Sequence, residues 1–384
     1  MDDIDSLLLW ATDQGVVLDG VRPSSISGRG LGMVATRVIH EGDVLMALPA
    51  PAIRSRHTLP RALMVKVPAN MTLHGLLAAD LLLHPPSSRA WGKLVPSLDD
   101  FENSTPFFWP EQLQELLPPE AKNLLRNQQR RFRQDWNHAK EGFPDMAQQD
   151  YLHSWFLVGT RSFYYETQET LSYPWLDRLA LLPVADMFNH SSAGCVVTFS
   201  TEAYDITADR EYQEGEEVYT SYGAHSNDFL LAEYGFVLAD NPSDQLCLDS
   251  ILLAKLPTED KVALSERGLL GDYMLRIDST PSDRAWIAMR GLADTVPQWD
   301  DWINGEEDAH GTLAKAQAML PGLLAELRGE IEDHRRRITE LRDEANAPKM
   351  DVLLQRWNHI DKLARSLGGA ATSTDGVTNG TGNI

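Results

Sequence analysis

Leu182-Pro183-Val184-Ala185-Asp186-Met187-Phe188-Asn189-His190-Ser191 is the stretch on which the reading of this chain turns. It passes from apolar residues into a short polar cluster of Asp186, Asn189, His190 and Ser191. Such a cluster after a hydrophobic run either caps an element or builds a site. About thirty residues on lies Val218-Tyr219-Thr220-Ser221-Tyr222-Gly223, and far upstream a glycine-rich turn, Gly28-Arg29-Gly30-Leu31-Gly32. These three pieces are expected to meet.

The glycines exclude one common fold. A dinucleotide-binding turn runs from a strand into a helix, so that phosphate meets the helix N-terminus. Here the turn leads into Met33-Val34-Ala35-Thr36, then a second turn at Glu41-Gly42-Asp43, then Val44-Leu45-Met46-Ala47-Leu48-Pro49. That is hairpin chemistry, with glycines that let a ligand approach the backbone.

Between about 55 and 160 the pattern turns helical. Leu73 to Leu83 predicts a buried helix stopped by Pro85-Pro86, and 119–141 a polar helix whose Arg126, Arg130, Arg131 and Arg133 form a solvated face. Gln149 to Tyr164 predicts a helix with Tyr151, Trp155, Val158 and Ser162 on a core stripe. Strand patterns return at Cys195–Phe199, Tyr204–Ala208 and Glu217–Tyr222. After Asn241-Pro242 the periodicity is helical throughout, at 257–277, 281–293, 312–329 and 330–366. The Gly, Ala, Ser, Thr and Asn-rich end predicts disorder over 367–384. The expected fold is α+β: a β-rich domain of 1–54 and 161–240, a helical insertion at 55–160, and a helical C-terminal domain at 241–366.

The chain has 384 residues, two or three domains' worth, with 34 Lys and Arg against 56 Asp and Glu, a net charge of −22. An anionic surface disfavours nucleic acid and anionic membrane and attracts basic protein segments. The only cysteines, Cys195 and Cys247, have no CxxC spacing, so neither a zinc cluster nor a disulfide framework is expected. Low cysteine use suits a reducing compartment, and the acidic N-terminus is unlike a signal peptide; cytoplasm or nucleus is the expected setting. No apolar run approaches the roughly 18 residues of a membrane span. A monomer is expected.

A split β domain with Gly30-Leu31-Gly32 near its start, Asp186-Met187-Phe188-Asn189-His190-Ser191 in the middle, then Gly215-Glu216-Glu217-Val218 and Ser221-Tyr222-Gly223, resembles the SET-domain methyltransferases. Trp91, Leu94-Val95-Pro96, Thr105-Pro106, Phe108-Trp109 and Glu111-Gln112-Leu113 look like the helical insertion of the Rubisco large-subunit methyltransferase-like group, whose members modify non-histone proteins. Ser226-Asn227 and Tyr234-Gly235-Phe236 look like its SET C-terminal end, and the helices after Asn241 resemble, by position, its substrate-binding domain.

The resemblance implies a knot-like core, S-adenosylmethionine as cofactor, no metal, and methyl transfer to a lysine of a non-histone protein; the acidic charge would suit a basic one, such as a ribosomal protein or translation factor. The resemblance also implies cofactor contacts from Gly30, Leu31, Gly32, Arg161, Asp186, Met187, Phe188, Asn189, His190, Tyr222, Tyr234 and Phe236. Asn189 would act by its side chain and His190 mainly by its backbone. Tyr222 would be the catalytic tyrosine, sharing the substrate channel with Ser221 and Tyr234. For Arg161 an ion pair with Asp186 or Glu166 is the alternative to a cofactor contact, and Tyr234 and Phe236 would look the same as plain core. Histidine as acceptor, or a SET fold kept only for binding, are the alternative functions.

Overall fold

The computed structural model describes residues 2–168, 170–174, 177–200, 202–278, 280–294, 297–305, 311–341 and 343–373, with side chains through 368. They divide into two compact units, 1–102 with 126–224, and 103–125 with 225–384.

The first unit is built on a seven-stranded sheet. Its strands are β1 (Val17–Leu18), β2 (Val21–Ile26), β3 (Gly30–Ala35), β4 (Val44–Pro49), β7 (Asn189–Phe199), β8 (Ala203–Thr207) and β9 (Glu217–Thr220), in the order β1-β4-β8-β7-β9-β3-β2. The short ribbon of β5 (Ser162–Tyr164) and β6 (Leu179–Leu181) stands apart from it. β2 and β3 form an antiparallel hairpin with Ile26 opposite Gly30. The strand therefore begins at Gly30, and the glycines predicted as a turn lie mostly in β3. Gly28 and Gly30 both have φ +75°, which closes the hairpin tip around Arg29.

Strand alternation decides what faces the core. On β8, Tyr204 and Ile206 are buried; on β9, Val218 and Thr220 are buried, so Glu217 and Tyr219 share the opposite face. β7 starts at Asn189, six residues before the predicted strand. Asn189 and His190 pair parallel with Tyr219 and Thr220; the register then slips, and Cys195 faces Thr220 again. Gly194 makes this crossing possible, since a Cβ there would lie 2.7 Å from the Tyr219 carbonyl oxygen.

The helix Leu73–Leu83 is capped by Thr72 on the Gly75 N–H and is buried along most of its length. It packs on the helix Gln148–Arg161, whose Tyr151, Trp155 and Val158 are fully buried as the stripe predicts. His74 stacks on Trp155 with centroids 4.3 Å apart and donates from Nε2 to the Trp155 carbonyl. Burial lowers the His74 pKa to about 3, so the ring is neutral. The helix ends at Arg161, not Tyr164: Ser162 turns extended and the next residues form β5.

The second unit is helical with one ribbon, β10 (Gln245–Cys247) antiparallel to β11 (Met274–Arg276). This corrects the helix expected over 257–277, which stops at Glu266. The segments 312–329 and 330–366 are also redrawn as one helix, Thr312–Glu340, followed by Ala347–Ser373. The stripe Leu320, Leu323, Leu324, Leu327, Ile331 and Ile338 stays buried along the longer helix, so packing carries it through the change from apolar to charged composition. The expected boundary at 366 falls inside a helix; 374–384 lie outside the described residues.

The helix Asn227–Tyr234 starts at Ser226, whose hydroxyl accepts from the Phe229 N–H, and closes at Gly235 with φ 81°. Arg356, fully buried, ties this start to the ribbon: it donates to Asp228 at 2.6 Å and Asp244 at 2.7 Å.

Candidate active site

The sheet brings most of the predicted residues of the first unit together through two crossings, β3 against β9 and β7 against β9. Before β7 the chain makes a one-turn helix, Ala185–Met187, entered from Val184 at φ 70°. A β-branched residue rarely takes that conformation. It is fully buried here, so packing holds the strain next to the site.

Tyr222 lies beside this turn. Its hydroxyl donates to the Phe188 carbonyl at 2.8 Å, its N–H donates to Nδ1 of His190 at 3.0 Å, and its ring stacks on His190 with centroids 4.9 Å apart. Burial foremost, then Asp186 and Glu217 against an opposing Arg161, pushes the Tyr222 hydroxyl up to about 12. It is a neutral phenol at any ordinary pH. His190 acts as a brace: the nitrogen that would serve as a base already accepts the Tyr222 N–H.

Asn189 donates from Nδ2 to the Leu31 carbonyl at 3.1 Å and to Oε1 of Glu217 at 2.8 Å. Gly32 faces the same spot, where a Cβ would come within 2.6 Å of Glu217 Oε1 and 2.8 Å of Asn189 Nδ2. Glycine is required there by the close approach of the two side chains, not by its backbone angles.

Arg161 donates to the Asp186 backbone carbonyl at 2.5 Å and lies 3.5 Å from its Oδ2, so the ion pair weighed for this arginine is present. Glu166, the other partner considered, pairs with Arg178. Asp186 also accepts from Trp91 Nε1 at 3.1 Å, and its burial raises its pKa against the opposing pull of Arg161. Two buried polar atoms here lack a partner among the described residues, Arg161 Nε and Asp186 Oδ1. A cavity of about 310 Å³ borders both residues together with Trp10, Arg54, Asp80 and Trp91. Gly30, Asn189 and Tyr222 are not among the residues that line it.

Ser221 is exposed next to Tyr222. Tyr234 and Phe236 belong to the second unit, where their rings lie 6.2 Å apart. Sequence reasoning assigned no role to Glu217, Arg29, Trp91, Val184 or Gly194. The motifs containing Glu217, Arg29 and Trp91 were recognised, but long-range partners are invisible in a single sequence.

This chain belongs to the SET domain family, whose profile matches residues 30–223. It is 26% identical over 356 residues to the ribosomal lysine N-methyltransferase set11 of Schizosaccharomyces pombe, covering 89% of this chain and 91% of that protein. Its fold matches the SET domain of LSMT solved with lysine and AdoHcy, at a TM-score of 0.65 and 16% identity, over 97% of this chain and 91% of the other. Rubisco LSMT solved with AdoMet matches at 0.63 and 16%, over 98% and 92%.

Proposed function

We propose that this chain is an S-adenosylmethionine-dependent methyltransferase that modifies a lysine side chain of a basic, non-histone protein. The observation that carries the reading is the fixed hydroxyl of Tyr222, held on the Phe188 carbonyl above the Asn189–His190 crossing. The residues present fit the cofactor. Arg161 Nε is a buried donor without a partner among the described residues, suited to a carboxylate, and Gly30 leaves the β3 backbone open, with no atom within 4 Å of where a Cβ would stand. Support also comes from set11, named a ribosomal lysine methyltransferase, and from LSMT, solved with lysine and AdoHcy.

In this reading the backbone of Gly30, Leu31 and Gly32 and the floor from Asp186 to His190 hold the cofactor. Asn189 offers its side-chain oxygen to the ammonium end, and Arg161 turns to the carboxylate. Ser221 flanks Tyr222 at the channel. When bound, the cofactor supplies a methyl group on a sulfonium, open to in-line displacement by a neutral amine. The hydrogen of Tyr222 is committed to Phe188, so its oxygen is left to accept from the methyl C–H groups and the incoming amine N–H. That arrangement orients the reacting groups and removes no proton. The amine, with an ordinary pKa near 10.4, loses its proton before transfer, aided by a water-poor channel.

The helices after residue 241 are assigned to substrate binding, the functional form to a monomer, and the setting to cytoplasm or nucleus. The test is incubation with labelled AdoMet and a lysate of cells lacking this protein, followed by mass spectrometry of the labelled site. Label on a lysine of a basic protein is expected. Label on histidine would overturn the acceptor. AdoMet binding without any transfer would reduce the chain to a binding module.

A further inference from the structure

The motif Gly215-Glu216-Glu217-Val218 contains a side chain that the chemistry above leaves unused. Glu217 joins three distant parts of the first unit. Its Oε1 accepts from Asn189 Nδ2 at 2.8 Å. Its Oε2 pairs with Arg29 Nη2 at 2.7 Å and accepts from the Tyr219 hydroxyl at 2.7 Å. Arg29 also donates from Nη1 to the Tyr219 oxygen at 3.0 Å. The Glu217 side chain is 8% exposed and that of Arg29 55%, so the acid end is shielded while the arginine closes the hairpin tip from outside.

The second amide hydrogen of Asn189 goes to the Leu31 carbonyl. Both partners of Asn189 can only accept, which fixes its carboxamide with nitrogen toward the hairpin and oxygen away from it. Arg29 itself stands between Gly28 and Gly30, both at φ +75°, in a tip that would be loose without a side-chain anchor.

We propose that Glu217 is a positioning residue for the cofactor site: with Arg29 it clamps the glycine hairpin to the Asn189 crossing and sets the orientation of the Asn189 carboxamide before the ligand arrives. This rests on the reading of Gly30–Gly32 and Asn189 as cofactor contacts. A preordered hairpin leaves less freedom to lose on binding. Removing the clamp therefore acts on cofactor affinity more than on the chemical step.

The test is calorimetric titration of AdoMet into the wild type, Glu217→Ala, Glu217→Gln, Arg29→Met and the Glu217→Gln/Arg29→Met double variant. Melting curves and methylation kinetics accompany each titration. Losing a shielded, hydrogen-bonded charge should weaken AdoMet binding about 30-fold in Glu217→Ala. Glu217→Gln and Arg29→Met should each lose roughly 5- to 10-fold, and the double variant about the same as either, because both break one interaction. KM for AdoMet should rise by a larger factor than kcat falls.

A folded Glu217→Ala protein with wild-type affinity overturns the proposal, as do losses that multiply in the double variant or a fall in kcat at unchanged KM. If Glu217→Ala fails to fold, the isosteric Glu217→Gln decides by the same criteria. A wild type that gives no heat with AdoMet overturns the cofactor reading itself, a different result from wild-type binding that the variants leave intact.

Discussion

Replacing Tyr222 by Phe removes one hydroxyl and little else. The hydroxyl makes a 2.8 Å bond to the Phe188 carbonyl, and Phe188 is 1% exposed. A buried acceptor that loses its donor costs about 1–3 kcal/mol. At about 2–4 °C per kcal/mol for a domain of this size, melting should drop by several degrees. The stacking on His190 and the Tyr222 N–H bond to Nδ1 do not involve the hydroxyl and should persist. AdoMet affinity, read by calorimetry, should then change less than about threefold. The rate should fall much further, because a fixed dipole aimed at the reacting atoms is lost; comparable deletions cost about 10²–10³ in turnover, or about 2.7–4 kcal/mol. Single-turnover transfer from labelled AdoMet into an acceptor lysate measures this. The wild-type rate should climb with pH as the amine deprotonates and show no Tyr222 inflection in the neutral range, since that hydroxyl is pushed up to about 12. A Phe variant within threefold of the wild-type rate would falsify the orienting role. A neutral-range inflection that disappears on substitution would make Tyr222 a base instead.

Gly32→Ala places a Cβ 2.6 Å from Glu217 Oε1 and should weaken AdoMet binding at least tenfold, whereas Gly28→Ala meets no atom within 4 Å and should cost only the left-handed backbone, about 1–2 kcal/mol of stability. Equal effects in calorimetry and melting would refute the close-approach account. Glu120 accepts from Ser226 and Gln245, and burial followed by Asp228 raises its pKa to about 8. The unfolded chain ionises it near 4.3, so the folded state holds the extra proton in between. Stability should fall as pH rises from about 4.5 to 8, by on the order of 1.4 kcal/mol per unit at most. Glu120→Gln should flatten that decline in melts across pH 5 to 8; identical slopes would count against it. Arg356→Leu strands Asp228 and Asp244 in the interior and should cost about 3–5 kcal/mol in denaturant titration, with a loss below about 1 kcal/mol contradicting the assigned network.

What could be read from the sequence was what local chemistry dictates. The Tyr151–Trp155–Val158 stripe repeats with the helix and is buried along it. Gly30 and Gly32 stood out because glycine spaced by one residue after a strand pattern has few other uses. Glu217 did not stand out: Asn189 is 28 positions away and Arg29 far upstream, and no periodicity links them. Gly194 belongs to no motif that the sequence displays, although a Cβ there would strike the neighbouring strand's backbone. The β11 strand is three residues long, too short to show alternation against the helical pattern around it. Nothing local marks Arg356, which is fully buried because its two acids arrive from Asp228 and Asp244, more than a hundred positions away.

The net charge of −22 and the proposed chemistry pull in opposite directions, and the arrangement of charges near Tyr222 resolves the conflict. An acidic exterior draws in a lysine as its ammonium form, but negative charge close to the nitrogen would hold the proton that must leave. The side chains whose electrostatics bear on Tyr222 are Arg161, Asp186 and Glu217. Asp186 is opposed by Arg161, and Glu217 by Arg29. Each carboxylate at the crossing therefore has its own arginine, and the reacting position gains little net negative charge from the acidic chain around it. What acts most on Tyr222 is burial, and the same burial disfavours an ammonium as it disfavours a phenolate. Under the proposed activity, capture belongs to the charged exterior and proton release to a dry, charge-balanced interior. The Arg29–Glu217 pair holds the hairpin and offsets the carboxylate beside Asn189, as Arg161 offsets Asp186.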